Sequence, residues 1–225
     1  MKPYQRFSSL QAFILRSVLL GLLICLVNAS FTPAMAHPHA WIDVRSTVVL
    51  DETGKMTAID EEWLFDEYYT LFVLDDWQKQ GKDLEAQLKE LANENLHNLK
   101  DYNYFTEVRA AEKRLDLGTV TSFKTEMRQG RLWLQFILPL AQPVDLKTNE
   151  VSYSIFDPTY YIEMLHLEGD LIAFRGKGAE KCLGEIKSPS PTAEDSLLAA
   201  ALDRNAPPDV SLGAIFAERV IVTCQ

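Results

Sequence analysis

Apolar and polar residues alternate at the start of Trp41–Leu50, a stretch rich in β-branched side chains, and alternate again from Met56 to Phe65. Both read as strands. Asp51-Glu52-Thr53-Gly54-Lys55 lies between them with the composition of a turn, so a hairpin is predicted. Tyr68–Trp77 is apolar and aromatic and reads as a short buried helix. Lys82–Leu99 carries the clearest helical pattern, with Leu84, Leu88, Leu91, Asn95 and Leu99 at helical spacing and Lys and Glu between them. Gly81 or Asp83 stands where its start signal belongs.

Four more strands follow at Tyr104–Ala110, Val120–Met127, Leu132–Leu138 and Val151–Phe156, and Gln129-Gly130 turns the second into the third. Leu171–Phe174 and Arg219–Cys224 are shorter strand candidates. The Ser/Pro cluster at Ser188–Pro191 reads as a linker into a helix at Glu194–Leu202, and Pro207-Pro208 breaks the chain again. Strands dominate, and they do not alternate with helices. The predicted class is α+β: a mainly antiparallel sheet, sandwich-like or curved, with one long and two shorter helices on one side.

The first 36 residues stand apart from this pattern. Lys2 and Arg6 make a basic start, Ser17–Val27 is an apolar core, and Ala34-Met35-Ala36 is a small-x-small cleavage signal. The core falls short of the roughly 20 apolar residues that span a bilayer, so a cleaved secretory signal is read here in preference to an uncleaved anchor. Cleavage after Ala36 reduces the 225 residues to the 189 of 37–225, enough for a single exported, periplasmic domain. Three basic residues and no acid leave with the signal, taking the formal charge from −10 to −13. Such a surface repels nucleic-acid phosphates. Cys25 leaves as well. Cys182 and Cys224 remain in an oxidising compartment, where a disulfide is the first reading and a two-thiolate metal site the second. The bridge would close a loop of about 40 residues, worth roughly 3–4 kcal/mol in the chain-entropy model.

The most informative chemistry is His37-Pro38-His39 beside the cleavage site, which holds two of the chain's four histidines. A new terminus at His37 offers an α-amine and an imidazole together, and His39 can add a second imidazole. These donors suit copper, nickel, cobalt and zinc. Pro38 has no amide proton, which rules out the square-planar amino-terminal copper/nickel arrangement and leaves a clamp like a histidine brace. The plain alternative is two solvated histidines near a processing site. Asp43 shares strand parity with His39 and Trp41, so it can complete the site, orient a histidine or sit on the surface as an ordinary acid. Asp66-Glu67 ends the second strand, which the hairpin would return toward the histidines; equally, Asp66 can cap the following helix. Asp157-Pro158 closes another strand with ordinary turn chemistry. His97 and His166 read as structural or exposed. A Gly-x-Ser-x-Gly elbow, a His-Glu-x-x-His motif and a phosphate-binding loop are absent from the sequence, and neither a Cys-His nor a Ser-His-Asp arrangement can be assembled from it with any specificity.

His37-Pro-His-Ala-Trp-Ile-Asp43, Trp63-Leu-Phe-Asp-Glu-Tyr68, Asp101-Tyr-Asn-Tyr-Phe-Thr-Glu107, Phe156-Asp-Pro-Thr-Tyr-Tyr161 and Phe216-Ala-Glu-Arg-Val-Ile-Val-Thr-Cys224 run in order along the chain. Together they resemble the DUF1007 family, whose members are described as periplasmic components of uncharacterised ABC-type transport systems and are associated with nickel/cobalt-type transporters. The resemblance implies a non-enzymatic accessory that binds one divalent transition-metal ion and meets an inner-membrane permease. Its histidine motif lands on His37 and His39 and its aspartate on Asp43; Asp66 and Asp157 are candidate carboxylate partners. Unlike some relatives, this sequence has no fused permease and no long histidine-rich loop, which argues against bulk metal storage. A copper-handling or redox protein with a histidine brace, and a purely structural partner of a permease, are the competing readings.

Overall fold

Alternation at the front of the chain becomes a hairpin in the computed structural model, which describes residues 40–78, 83–167, 169, 171–201 and 212–225. Strand β1 (Ala40–Leu50) buries every even-numbered residue and turns the odd ones outward. Asp51 closes the turn: its Oδ1 accepts from the Thr53 amide and hydroxyl at 2.7 Å each and from the Lys55 amide at 3.1 Å. Strand β2 (Met56–Phe65) then returns along β1, from Met56 opposite Leu50 to Phe65 opposite Ile42.

Helix α1 (Glu67–Gln78) follows, but it is not the buried helix its composition predicts. Tyr68, Leu71 and Phe72 are 80%, 63% and 75% exposed, and Thr70 and Val73 are its buried residues among those described. Helix α2 (Leu84–Leu99) starts at Asp83, whose carboxylate accepts from the Ala86 amide. Its buried face is Leu88, Ala92 and Leu96 with Gln87, while Leu84 is exposed. The buried face keeps Leu88 of the predicted stripe but takes Ala92 and Leu96 in place of Leu91, Asn95 and Leu99, which are half-buried.

Next come a 3-10 segment (Lys100–Phe105), β3 (Thr106–Ala110), β4 (Lys113–Arg114) and β5 (Phe123–Arg128). Strand β6 (Arg131–Val144) runs on through Pro139 and Pro143, past the predicted end at Leu138. The ladder to β2 pairs Pro139 with Ala58 and shifts register beyond it, before Met56 meets Val144. After β7 (Val151–Ile155), the pattern does not announce β8 (Ile162–His166) or β10 (Cys182–Lys187); β9 (Ala173–Arg175) lies between them. The Ser188–Pro191 connection leads to helix α3 (Ala193–Ala201), and helix α4 (Leu212–Phe216) precedes β11 (Arg219–Cys224).

The strands form two sheets. One has the order β5-β6-β2-β1-β8, with β9 also on β1; the other runs β10-β11-β7-β3-β4. All pairings are antiparallel except those of β8 and β9 with β1. A single apolar core joins the sheets, with Ile42, Val48, Trp63 and Phe136 from the first meeting Val108, Tyr153, Val220 and Val222 from the second. This is an α+β sandwich, as the patterning predicts. Cys182 and Cys224 stand opposite each other at the end of β10–β11 and are disulfide-bonded, which excludes the thiolate-metal alternative. Among the described residues, no helix is long and apolar enough to cross a membrane.

Candidate functional site

The predicted site centres on the front of β1, and His37 and His39 themselves lie outside the described residues. Two elements converge on the first residues of this strand. On one side, the Asp66 amide donates to the Trp41 carbonyl at 2.9 Å, and the Trp41 amide donates back to Asp66 Oδ2 at 2.9 Å. On the other, Ala40 pairs in parallel with Ile162, the first residue of β8.

Asp66 does two jobs. Its Oδ1 accepts from the Tyr69 amide at 2.9 Å and so caps α1, while Oδ2 pins β1. The hairpin thus brings Asp66 to the start of the first strand, and the helix-cap reading holds at the same time. Each oxygen accepts one backbone hydrogen and keeps a second lone pair, and the side chain is half-buried.

Asp157 is only 4% exposed. Its Oδ1 accepts from the Thr159 amide and hydroxyl at 2.9 and 2.8 Å, and Oδ2 accepts from the Ile162 amide at 3.0 Å. It therefore shapes the turn that carries β8 to the edge of β1. Gly213 of α4 backs this turn: its amide donates to the Pro158 carbonyl, and a Cβ there would lie 1.9 Å from the Asp157 carbonyl oxygen.

Asp43 shares the outer face of β1 with Trp41, as parity predicts. Its Oδ2 accepts from Arg131 Nη1 at 2.7 Å, and Arg131 also donates to the carbonyls of Phe65 and Leu64. That guanidinium balances the Asp43 charge. His97 is exposed on α2. Among the described residues, no three His, Cys, Asp or Glu side chains come together closely enough to hold a metal. Asp66 is a carboxylate with donor capacity at the strand entry, and Asp157 is committed to its turn.

A second constellation went unseen in the sequence. Ser46 Oγ lies 2.9 Å from His166 Nε2, and His166 Nδ1 lies 2.9 Å from Glu218 Oε2, which also accepts from the His166 amide. Tyr153 OH reaches the same Ser46 Oγ at 2.6 Å. By hydrogen-bond order this is a serine–histidine–acid triad. Its position argues against acyl transfer: Ser46 sits mid-strand on the inward face, 5% exposed, and its hydroxyl is shared with a tyrosine from the opposite sheet. The network fastens β1 and β8 to β7 and to the entry of β11. One signal was available beforehand, since Ser46 is the polar residue at an inward position of β1.

Beside it lies Glu61, 0% exposed. Trp63 Nε1 donates to Oε2 at 3.1 Å, and the Thr106 hydroxyl lies 2.8 Å from Oε1. Burial pushes its carboxyl up to about 8, against the opposing pull of the hydrogen bonds from Thr106 and Trp63. Burial likewise raises the Tyr153 phenol, with the nearby Glu61 adding to the shift. The strand buries both Asp60 and Glu61, the first paired with Gln135 and Arg175 and the second fully enclosed.

A family model described as "Protein of unknown function (DUF1007)" matches residues 22–224. The chain belongs to the DUF1007 family. An uncharacterized protein of Haemophilus influenzae is 29% identical over 212 residues, covering 93% of this chain and 98% of its own length. The "Uncharacterized 15.5 kDa protein in trpE 3'region" of Spirochaeta aurantia is 30% identical over 103 residues, covering 44% of this chain and 73% of its own. No solved structure matches this DUF1007 chain significantly.

Proposed function

We propose that this DUF1007 protein is a non-enzymatic periplasmic accessory of a divalent-cation transport system, holding one nickel, cobalt, zinc or copper ion at its processed amino terminus. His37 and His39 would supply imidazoles, and the new α-amine a third nitrogen. The observation that carries the reading is the clamp on β1: Asp66 is hydrogen-bonded to the backbone of Trp41, two residues beyond His39 in the chain. A carboxylate with spare lone pairs thus sits at the entry of the strand that the histidine segment leads into. Imidazole and carboxylate together are an ordinary donor set for these ions. On this reading Asp157 and Asp43 act indirectly, the first by shaping the turn beside the strand entry and the second by anchoring Arg131.

The reading also gives a role to the exposed stripe of Tyr68, Leu71 and Phe72, which begins two residues beyond Asp66 on α1. An apolar patch on an otherwise acidic protein is the kind of surface a partner covers, and the permease is the partner proposed here.

Native mass spectrometry of the untagged exported protein tests the reading. With limiting nickel, zinc, cobalt and copper supplied together, a chain beginning at His37 should retain one ion. His37→Ala/His39→Ala should lose it, and His97→Ala should keep it. Equal uptake by the double variant, or no uptake by the native chain, would overturn the proposal.

A further inference from the structure

Between the inner face of the first sheet and helix α2 lies a cavity of about 180 Å³ that the metal reading does not use. Its floor is Ile42, Trp63 and Leu134, each no more than 3% exposed. Phe65, Leu99, Phe105 and Ile162 form the sides and are half-buried, and Asn98 on the exposed side of α2 stands at the mouth.

Three features mark the cavity as a binding site rather than a packing defect. First, it is lined mainly by aromatic and aliphatic groups, with carboxamides at Asn95 and Asn98 and, among the described residues, no Asp, Glu, Lys, Arg or His. This is the pattern of a small-molecule site, apolar walls with a few placed polar groups. Its one ionisable wall among the described residues, Tyr69, stays neutral at physiological pH, because burial raises the phenol further.

Second, aromatic rings present faces and edges around it. Trp63 and Phe105 are stacked with centroids 6.3 Å apart, and Phe65 and Tyr69 are stacked at 5.1 Å. The Trp63 donor is used on Glu61, so its ring offers hydrocarbon to the cavity.

Third, the wall at Phe105 is built at a conformational cost. Asn103, Tyr104 and Phe105 all have left-handed backbones, with φ of 52°, 54° and 58°. Such a run in non-glycine residues is unfavourable and persists only where the surroundings over-determine it. Here Phe105 O accepts from the Phe156 amide, and Tyr104 OH accepts from the Val120 amide. The strained turn is what aims Phe105 at Trp63.

We propose that this cavity binds a neutral single-ring aromatic compound, with the ring among Trp63, Phe65 and Phe105 and one polar substituent at the Asn98 carboxamide. The size agrees, since an apolar cavity of roughly 150 Å³ accommodates benzene. Aromatic walls favour a ring over an aliphatic group of the same volume. A charged group would lose its hydration with no counter-charge among the described lining residues.

Phenol, benzoate and cyclohexanol, each titrated into the ¹⁵N-labelled chain and followed by amide NMR, test this. Phenol should give saturable shifts centred on Asn98, Phe105 and Ile162. Cyclohexanol should bind more weakly, and benzoate should leave these amides unmoved. Asn98→Ala, at an exposed position that tolerates the change, should weaken phenol roughly 3- to 10-fold while sparing toluene, as one lost hydrogen bond requires. Ile162→Trp fills the space and should abolish binding; if that chain fails to fold, the Asn98 comparison decides alone. Shifts that grow linearly without saturating, equal responses to phenol, benzoate and cyclohexanol, or phenol affinity unchanged by Asn98→Ala would overturn the proposal.

Discussion

Glu61→Gln should stabilise the protein, and by an amount that grows with pH. The side chain is completely buried, and its carboxyl is raised from 4.5 to about 8, chiefly by loss of water. Below pH 4.5 the group is protonated in both folded and unfolded chains, and its ionisation contributes nothing. Between pH 4.5 and 8 the unfolded chain gives up the proton while the folded chain keeps it, so stability falls as pH rises. A tenfold difference in proton affinity between the two states is worth about 1.4 kcal/mol, so the whole interval costs about 5 kcal/mol by pH 8. Above pH 8 both states are ionised and the loss levels off.

The hydrogen bonds agree with a neutral acid. Thr106 Oγ1 lies 2.8 Å from Glu61 Oε1 and 3.1 Å from the Tyr104 carbonyl, and a hydroxyl has one hydrogen for the two acceptors. A proton on Oε1 resolves the conflict: glutamic acid donates to Thr106, and Thr106 donates to Tyr104. Glutamine reproduces that geometry, with Nε2 donating to Thr106 and Oε1 accepting from Trp63. Urea unfolding at pH 5, 6, 7 and 8 checks the argument. The Gln variant should gain on the native chain by about 1 kcal/mol or more for each step in pH across this range. A difference between the two chains that does not change with pH would refute it.

Other predictions bear on the remaining supports. Reducing Cys182–Cys224, which closes a separation of 42 residues, should cost roughly 4 kcal/mol by chain entropy, seen as a lower urea midpoint after disulfide reduction. His166→Ala should cost about 2–4 kcal/mol, because Ser46 and Glu218 lose a shared buried partner; Ser46→Ala should cost less, and circular-dichroism melts would order the two. Gly213→Ala should destabilise by about 1–3 kcal/mol by pressing a methyl onto the Asp157 carbonyl, and the change should appear in amide exchange at Ile162. Asp66→Ala should lose about 1 kcal/mol as a helix cap, while Asp66→Asn, which keeps an acceptor for Tyr69, should recover most of it.

Much of the strand framework was legible because it rests on a period of two with one buried face. The β1–β2 hairpin, its Asp51 turn and the terminal strand at Arg219–Cys224 all follow from local pattern. Elements whose residues take their burial from distant partners were not legible. Ile162–His166 has no strict alternation and becomes a strand by pairing with Ala40–Val44. Cys182–Lys187 becomes one through β11, with Gly184 close against Ile172. Tyr68, Leu71 and Phe72 look like core residues by composition and face solvent instead. Asp66 was legible both as a cap and as an acid returning to the first strand, since each role depends on nearby chain geometry.

Sequence alone determined the family, the α+β class, the cysteine pair and the order of the main strands, because local periodicity and residue type carry that information. Only the tertiary structure decided which acids are free to act. It tied Asp43 to Arg131, committed Asp157 to its turn and left Asp66 with lone pairs at the strand entry. It also joined Ser46, Tyr153, His166 and Glu218 from four separate segments and took Glu61 out of water. The physical reason is common to all of these. A side chain's charge state and partners are set by what is packed against it, and for these residues the packing comes from elements far away in the chain.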